Sequence, residues 1–178
     1  LAESQDSSGV NANYALNNAN FATPPDGSNP RMQMYIWDKP ENPFDLFTVN
    51  SPEVLAGVYE VTPTTDWAGE ITSITLTADI VPVDDGTLYG YEGCNNLTND
   101  LTGKIAMVSR GTCEFGLKAL NAQNAGASAV IIYNNEDTGQ PLSTSGGSFG
   151  NEVSIPVFSI TGSDGLQLVA LLEANTNM

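Results

Sequence analysis

The stretch from Gly103 to Asn135, GKIAMVSRGTCEFGLKALNAQNAGASAVIIYNN, decides the fold. It opens with a short apolar run that ends at an Arg110-Gly111 turn, as expected of a buried strand. The apolar residues of EFGLKALNAQNAGA fit one face of a short helix, with Gly126 placed to end it. A second apolar run, SAVIIYNN, follows at once. Strand, helix and strand joined so tightly predict a right-handed βαβ crossover with two parallel strands.

Further strands and a second helix are predicted on both sides of this unit. LFTVN, LAGVYEVT and EITSITLTADIVPV precede it, and the last alternates from Ile74 to Ile80 like a half-buried strand. VSIPVFSI follows as a strand with Pro156 at its edge or start. DGLQLVALLEAN predicts a helix capped by Ser163. The Gly- and Ser-rich segment 135–151 predicts a long flexible loop, and loops of this length are usually functional or disordered. We therefore expect a β-rich α/β fold.

Residues 1–40 differ in composition from the rest. Residues 1–30 have few large apolar groups and predict loop or disorder unless a partner covers them. RMQMYIWD, Arg31 to Asp38, alternates and predicts a strand. The chain is accordingly divided into residues 1–40 and a main domain of residues 41–178.

The charge balance excludes some partners. The chain has 21 acidic and 5 basic residues, for a formal net charge of −16. Such a surface repels nucleic acid and anionic lipid, and no apolar run reaches the roughly 20 residues of a membrane helix. The acids are dispersed, which favours a solvated, salt-tolerant surface over a dedicated site for cations or a basic partner. We expect neither nucleic acid nor membrane as a partner.

Histidine is absent from the chain. Its absence removes Ser-His-Asp and Cys-His nucleophilic sites and the zinc motif HExxH. A carboxylate pair could still catalyse hydrolysis, but Asp84-Asp85 beside Gly86 is more typical of a turn. We assign no catalytic residue, no metal ligand and no cofactor to this chain, although calcium could bind adventitiously to its Asp and Asn oxygens.

The two cysteines, Cys94 and Cys113, lie 19 positions apart. An acidic, Lys-poor chain rich in Asn, Ser, Thr and Gly is typical of secreted or cell-surface proteins, where such a pair usually forms a disulfide. The alternative is a reactive thiol in the R-G-T-C turn, near a helix N-terminus. It lacks a His partner, so the disulfide is favoured.

Arg110, one of the five basic residues, lies in the turn between the central strand and its helix. Two interpretations stay open. The simpler one pairs Arg110 with a surface carboxylate. The other makes it a donor to the carboxylate or a backbone carbonyl of a bound peptide.

The combined pattern of the main domain resembles a protease-associated (PA) domain. Gly93-Cys94, GKIAMVSRGTCEF, KALNAQNAGASAVIIYNN, the Gly/Ser loop and IPVFSI with its following helix occur in the expected order, over about residues 55–175. The resemblance implies a small mixed β-sandwich or open barrel flanked by short helices. It also implies a non-catalytic module, inserted in secreted or luminal peptidases and sorting receptors, that binds peptides or shapes access to an active site.

The resemblance also suggests where a peptide would bind. In sorting-receptor relatives the R-G-x-C turn helps to form the peptide site, and the matching residues here are Arg110, Gly111, Thr112 and Cys113. We add the loop residues Ser145, Gly146 and Gly147 as candidates at the rim of this site.

A second resemblance covers Asp6 to Asp38, DSSGVNANYALNNANFATPPDGSNPRMQMYIWD. This stretch is similar to the one that precedes the zinc-binding helix in fungalysin-type metallopeptidases, some of which carry a PA insertion just before HExxH. Residues 1–40 would then be a fragment of the catalytic domain, and zinc would belong to the parent enzyme, outside this segment. The start at Leu1 and the end at Met178 are interpreted as those of a piece of a longer protein.

The leading hypothesis is a peptide- or protein-interaction module of a secreted metallopeptidase, which recruits substrate or gates the cleft. Its partners would be the parent catalytic domain and an extended peptide or protein substrate. The alternative is a structural insertion that packs on the catalytic domain and stabilises it. A groove lined by main-chain edges and Arg110 would favour peptide binding, and a large apolar patch would favour packing.

Overall fold

The structure, a computed structural model, describes residues 19–22, 31–34, 46–70, 76–88 and 90–176. The chain divides into two compact units, Leu1–Asn42 and Pro43–Met178. In the first unit, β1 (Ala19–Ala22) pairs antiparallel with β2 (Arg31–Met34). The strand at β2 was predicted, whereas the loop or disorder expected at residues 19–22 was wrong, because β2 supplies hydrogen-bond partners for a segment with little strand signal of its own. Residues 35–38 lie outside the described residues.

The second unit contains a hairpin, a five-stranded sheet and two α-helices. The hairpin is β3 (Leu46–Val49) antiparallel to β4 (Gly57–Glu60). The sheet has the order β5-β9-β8-β7-β6. Its strands are β5 (Thr62–Pro63), β6 (Ile80–Pro82), β7 (Ile105–Ser109), β8 (Ala129–Tyr133) and β9 (Val157–Ile160). All its pairs are parallel except β5 with β9.

The helices cover opposite faces of this sheet. α1 (Phe115–Asn124) joins β7 to β8, which confirms the predicted βαβ unit, and α2 (Gly162–Thr176) follows β9. Strands buried on both faces account for the continuous apolar runs of the sequence. The face under α1 is lined by Ala106, Val108, Val130, Ile132 and Val157, and the face under α2 and the hairpin by Ile105, Met107, Ile131, Tyr133 and Ile160. The predicted β-rich α/β class, with short helices flanking mixed strands, is confirmed.

The alternating segment before β6 is only partly a strand. Of the residues that were expected to pair, 71–75 lie outside the described part, 76–79 have no regular structure, and Ile80–Pro82 form β6. The segment pairs with β7 only from the point where β7 starts: the N–H of Ile105, the first residue of β7, donates to Asp79 O (2.9 Å). Ala78 and Ile80 still pack on the core, whereas Leu76 is 47% exposed.

The start of α2 corrects the predicted cap. Thr161, not Ser163, caps the helix, because its Oγ1 accepts from the Asp164 N–H (3.2 Å) and donates to Asp164 Oδ2 (2.8 Å). The bond from the Asp164 N–H to the hydroxyl makes Thr161 the N-cap, and Ser163 lies inside the first turn. Pro156 stands just before β9 and Gly126 just after α1, with a φ of 94°, both as predicted. No helix within the described ranges is long and apolar enough to cross a membrane.

Candidate functional site

The predicted peptide-binding turn lies at the edge of the sheet where the parallel strands end. Arg110 directly follows β7, and Asn134 directly follows β8 and opens the loop 135–151. In open α/β sheets, ligands bind beyond the carboxyl ends of the parallel strands. We call this side of the sheet the carboxyl edge.

Arg110 is exposed at this edge and is tied to the neighbouring strand. Its N–H donates to Tyr133 O (2.8 Å), and its guanidinium donates to Asn134 Oδ1 (3.2 Å). Asn134 is 1% exposed, and its Nδ2 donates to Thr138 Oγ1 (3.2 Å). Within the described residues the guanidinium contacts no carboxylate. The simpler interpretation, a surface ion pair, therefore finds no support in this part of the chain.

Gly111 and Thr112 face a carboxylate of their own chain. Glu92 Oε2 accepts from the Thr112 N–H (3.0 Å) and from Thr112 Oγ1 (2.9 Å). A Cβ on Gly111 would coincide with the Glu92 carboxyl group, so a larger residue here would require the Glu92 side chain to move. The hydrogen bonds from Thr112 lower the pKa of Glu92, and the charge of Lys118 acts in the same direction. These two turn residues are therefore committed to an internal partner.

The segment Glu92–Cys94 is fixed to α1 from the other side. The predicted disulfide between Cys94 and Cys113 is present. Lys118 is fully buried, and its Nζ donates to Glu92 O (2.7 Å), while Asn121 Nδ2 donates to Gly93 O (2.9 Å). Burial lowers the pKa of Lys118 to about 8, against the opposing effect of the Glu92 and Asp85 charges.

Sequence reasoning missed Lys118 and Asn121. The signal that could have found them is their spacing: polar residues three positions apart lie on one side of a helix. Here that side also carries the buried Ala119 and Ala122. Two buried polar side chains at this spacing indicate a polar partner inside the fold, since a buried polar group needs a hydrogen bond.

The candidate loop residues lie beside the start of α1. The Ser148 N–H donates to Glu114 Oε2 (2.8 Å), which holds the loop against the residue that follows Cys113. Gly147 has a φ of 57°, and a Cβ there would meet the Glu114 carboxylate. The structure therefore brings this loop to the R-G-T-C turn through Glu114.

The three candidates in this loop differ in what they offer a ligand. Gly146 is buried, and a Cβ on it would meet the Gly150 backbone at 2.6 Å and the Trp67 side chain at 2.8 Å. Gly146 and Gly147 thus permit close packing. Ser145 is exposed and presents a hydroxyl group to solvent.

A recess of about 300 Å³ lies at the carboxyl end of β6. Its apolar walls include Leu88, which is 91% exposed, and Tyr91, which is 37% exposed. Tyr91 belongs to a short 3-10 turn, Gly90–Glu92. Since Glu92 bonds to Thr112, this turn joins the recess to the R-G-T-C turn. The lining residues are Pro82, Val83, Asp84, Thr87, Leu88, Gly90 and Tyr91.

The two outer strands of the five-stranded sheet both contain proline. Pro63 lies in β5 and Pro82 in β6. Proline lacks an N–H, and Pro82 O already accepts from Asn99 Nδ2 (2.9 Å). Edges of this kind resist the addition of another strand. A groove formed by the main-chain edges of this sheet is therefore disfavoured, and the carboxyl edge is the better candidate.

The acidic side chains do not gather into a metal site in the part of the chain that the structure describes. No group of three or more His, Cys, Asp or Glu side chains that could hold a metal ion occurs among those residues.

Residues 76–168, more than half of the chain, match the family model of the PA domain, and the chain therefore belongs to the PA domain family. It is similar to aminopeptidase YwaD of Bacillus subtilis, with 43% identity over 89 residues, which cover 50% of this chain and 19% of the relative. It is also similar to the probable leucine aminopeptidase 2 of Aspergillus fumigatus, with 40% identity over 78 residues, or 43% of this chain and 15% of the relative.

Among proteases, the minor extracellular protease Vpr of Bacillus subtilis is 34% identical over 96 residues, or 54% of this chain and 10% of the relative. A solved structure, a zinc aminopeptidase from Bacillus subtilis, matches with a TM-score of 0.54 and 31% identity over 70% of this chain and 27% of that chain. The chain thus spans a fifth or less of these curated relatives and about a quarter of the solved structure. It is similar to one part of several peptidases.

Proposed function

We propose that this chain is the peptide-interaction module of a secreted zinc metallopeptidase, and that its carboxyl edge recruits extended substrate or gates access to the catalytic cleft. One observation carries the proposal. In a chain with a net charge of −16, an exposed arginine at the carboxyl edge has no carboxylate partner among the described residues. A guanidinium that lacks a carboxylate partner among these residues suits a ligand from outside.

The chemistry of Arg110 suits an extended peptide. A guanidinium carries five N–H donors in a rigid plane, and Asn134 takes one of them (3.2 Å). The remaining donors can hold a backbone carbonyl, or a carboxylate in a two-pronged bond. Because Asn134 is buried and bonded to Thr138, it limits the orientations that the guanidinium can adopt.

The other candidate residues have different roles in this proposal. Ser145 would contribute a hydroxyl contact, and Gly146 and Gly147 would let the loop approach the start of α1. Gly111 and Thr112 would act as a frame that Glu92 fixes. With so few direct contacts, the affinity is expected to be micromolar or weaker.

The parent enzyme is proposed from the relatives and from the first unit. The solved relative from Bacillus subtilis is a zinc aminopeptidase, which supports a zinc enzyme whose metal lies outside this segment. The resemblance of residues 6–38 to fungalysin-type metallopeptidases supports that family as the parent. A secreted location is supported by the disulfide and by the extracellular relative.

The test is a titration of the ¹⁵N-labelled chain with an extended, uncharged peptide, followed by NMR. We expect shifts at the amides of residues 109–112 and 145–147, and a dissociation constant raised about fivefold or more in Arg110→Ala, which loses charged hydrogen bonds. Lys104→Ala is the matched control, since it removes the same charge at the opposite end of β7. An Arg110→Ala variant that binds as tightly as the Lys104→Ala variant would refute the proposal.

The second candidate function is a structural insertion that packs on the catalytic domain. Val54 and Val58, on and beside the hairpin, are 66% and 63% exposed. Apolar side chains left in water favour a covering surface when they form a patch. This function predicts an interface through the hairpin, away from the residues of the peptide site.

A further inference from the structure

We infer that the recess at the end of β6 is a subsite for the long cationic side chain, lysine or arginine, of a peptide that lies across the carboxyl edge. The inference rests on the proposed peptide binding and adds a specificity to it. The recess was absent from the sequence predictions and does not include Arg110.

The size of the recess suits one side chain. At about 300 Å³ it lies at the lower limit of small-molecule pockets. It is open to solvent along Leu88 and Tyr91, both of which are exposed. A long side chain can enter from the surface, whereas a cofactor would remain mostly outside.

The apolar wall suits an aliphatic chain. Leu88 is 91% exposed and has lost almost none of its contact with water, and the neighbouring Tyr91 is also exposed. Lysine and arginine cover such surfaces with their methylene groups while the charged end stays in water. An arginine could also stack on the face of Tyr91.

The charge of the recess selects the sign of the ligand. Among the described residues that line the recess, Asp84 alone is charged, and its Oδ1 accepts from the Gly86 N–H (2.9 Å). A Cβ on Gly90 would lie 3.0 Å from the same oxygen, so the carboxylate lies next to Gly90, which also lines the recess. It attracts an ammonium or guanidinium group and repels a carboxylate. The net charge of −16 acts in the same direction.

The recess and the Arg110 turn can be occupied by one peptide. β6 and β7 are neighbouring strands, about 5 Å apart. Tyr91 lines the recess, and the next residue, Glu92, bonds to Thr112. An extended peptide advances about 3.3 Å per residue. The Arg110 guanidinium reaches Asn134 at the end of β8, two strand spacings or about 10 Å from β6, so a carbonyl held there would place a side chain about three residues away at the recess.

The first test uses single-residue probes, so that it does not depend on Arg110. The N-acetyl, N-methylamide forms of lysine, norleucine and glutamate are titrated into the ¹⁵N-labelled chain at low salt. We expect the lysine probe to shift the amides of residues 83–88, 90 and 91, with an affinity about threefold above that of norleucine, as for an exposed ion pair. The glutamate probe should be the weakest, and added salt should reduce the preference for lysine.

Two aspartate variants locate the charge. Asp84→Asn should remove the difference between lysine and norleucine. Asp100→Asn is the control, because Asp100 is also exposed and its Oδ1 also accepts a backbone N–H two residues on, from Thr102 (3.0 Å). Leu88→Ala should weaken both probes equally. Equal affinities for lysine and norleucine, or the same loss in both aspartate variants, would overturn the inference.

A longer peptide separates this inference from the proposed function. Capped alanine-based pentapeptides that carry one lysine, norleucine or glutamate are compared on the wild type and on Arg110→Ala. If both proposals hold, Arg110→Ala weakens every peptide and preserves the preference for lysine. Binding that depends on Arg110 without that preference refutes the subsite alone. If the lysine peptide is preferred and Arg110→Ala binds every peptide as tightly as the wild type, only the role of Arg110 is refuted.

Discussion

Lys118 has no exposed surface, although lysine is among the residues that are least often buried. Its amine is accommodated because Glu92 O accepts from Nζ at 2.7 Å and the Glu92 and Asp85 carboxylates lie near enough to favour its charge. Burial still has the larger effect and lowers the pKa of Lys118 from 10.5 to about 8. Lys118, which holds the segment Glu92–Cys94 against α1, therefore reduces the stability of the fold while its amine is charged.

This gives a pH-dependent prediction. Between pH 8 and 10.5 the unfolded chain holds a proton on this lysine that the folded chain has released, so stability rises with pH across that window. We expect the free energy of unfolding of the wild type to gain about 1–3 kcal/mol relative to Lys118→Met between about pH 7 and pH 10. Urea denaturation at several pH values measures it.

The comparison with Lys118→Met removes the contribution of other groups. Burial raises the pKa of Tyr133, which lowers stability above about pH 10 in both proteins alike. Lys104→Met serves as a control for the loss of a positive charge. Parallel stability curves for the wild type and Lys118→Met would show that the buried amine has an ordinary pKa.

At the scale of elements, the sequence was most informative where both faces of a strand are buried. β7, α1 and β8 were predicted correctly because their apolar runs are continuous and a short helix separates them. β6 was overestimated, because alternation reports burial on one side but not the presence of a neighbouring strand. The cap of α2 was predicted at the wrong residue, because Thr161 and Ser163 both carry a hydroxyl that could cap the helix.

The candidate site was predictable only in part. Arg110 and the disulfide were found because the R-G-T-C motif and the cysteine count mark them. The hydrogen bond from Thr112 to Glu92 joins residues 20 positions apart, and no local sequence pattern predicts it. The recess likewise depends on how residues 83–88, 90 and 91 lie beside the end of β6.

The glycines of the loop 135–151 look alike in sequence but differ in packing. Gly146 touches Gly150 and Trp67, so Gly146→Ala would force the loop away from both. We expect a loss of about 1–3 kcal/mol in the free energy of unfolding, as for other overpacked sites. Gly57→Ala is the control, because a Cβ on Gly57 has its nearest contacts at 3.9 and 4.0 Å, and it should change stability by about 0.5 kcal/mol or less.

Chemical denaturation of the two alanine variants checks this prediction. If Gly146→Ala is as stable as Gly57→Ala, the loop is not packed against Trp67 at Gly146.

At the scale of the whole molecule, the two proposed functions, recruitment of substrate and support of a catalytic domain, use different surfaces. Recruitment depends on Arg110 at the carboxyl edge, and support depends on exposed apolar residues such as Val54 and Val58. The chain spans about a quarter of the zinc aminopeptidase that it resembles in structure, so the comparison must be made in the longer protein that we propose as its parent.

In that parent we expect Arg110→Ala to raise KM for an extended protein substrate about fivefold or more while leaving kcat and the hydrolysis of a short peptide unchanged, because a short substrate does not reach the module. If recruitment is the function, the double variant Val54→Ser, Val58→Ser should keep both reactions, at low temperature and on mild heating. If support is the function, the valine variant instead loses both reactions on mild heating, and Arg110→Ala loses neither.

Chelation should abolish all activity of the parent. Hydrolysis by the 178-residue chain alone in the presence of a chelator would contradict both functions, because it would require a catalytic site that neither proposal contains.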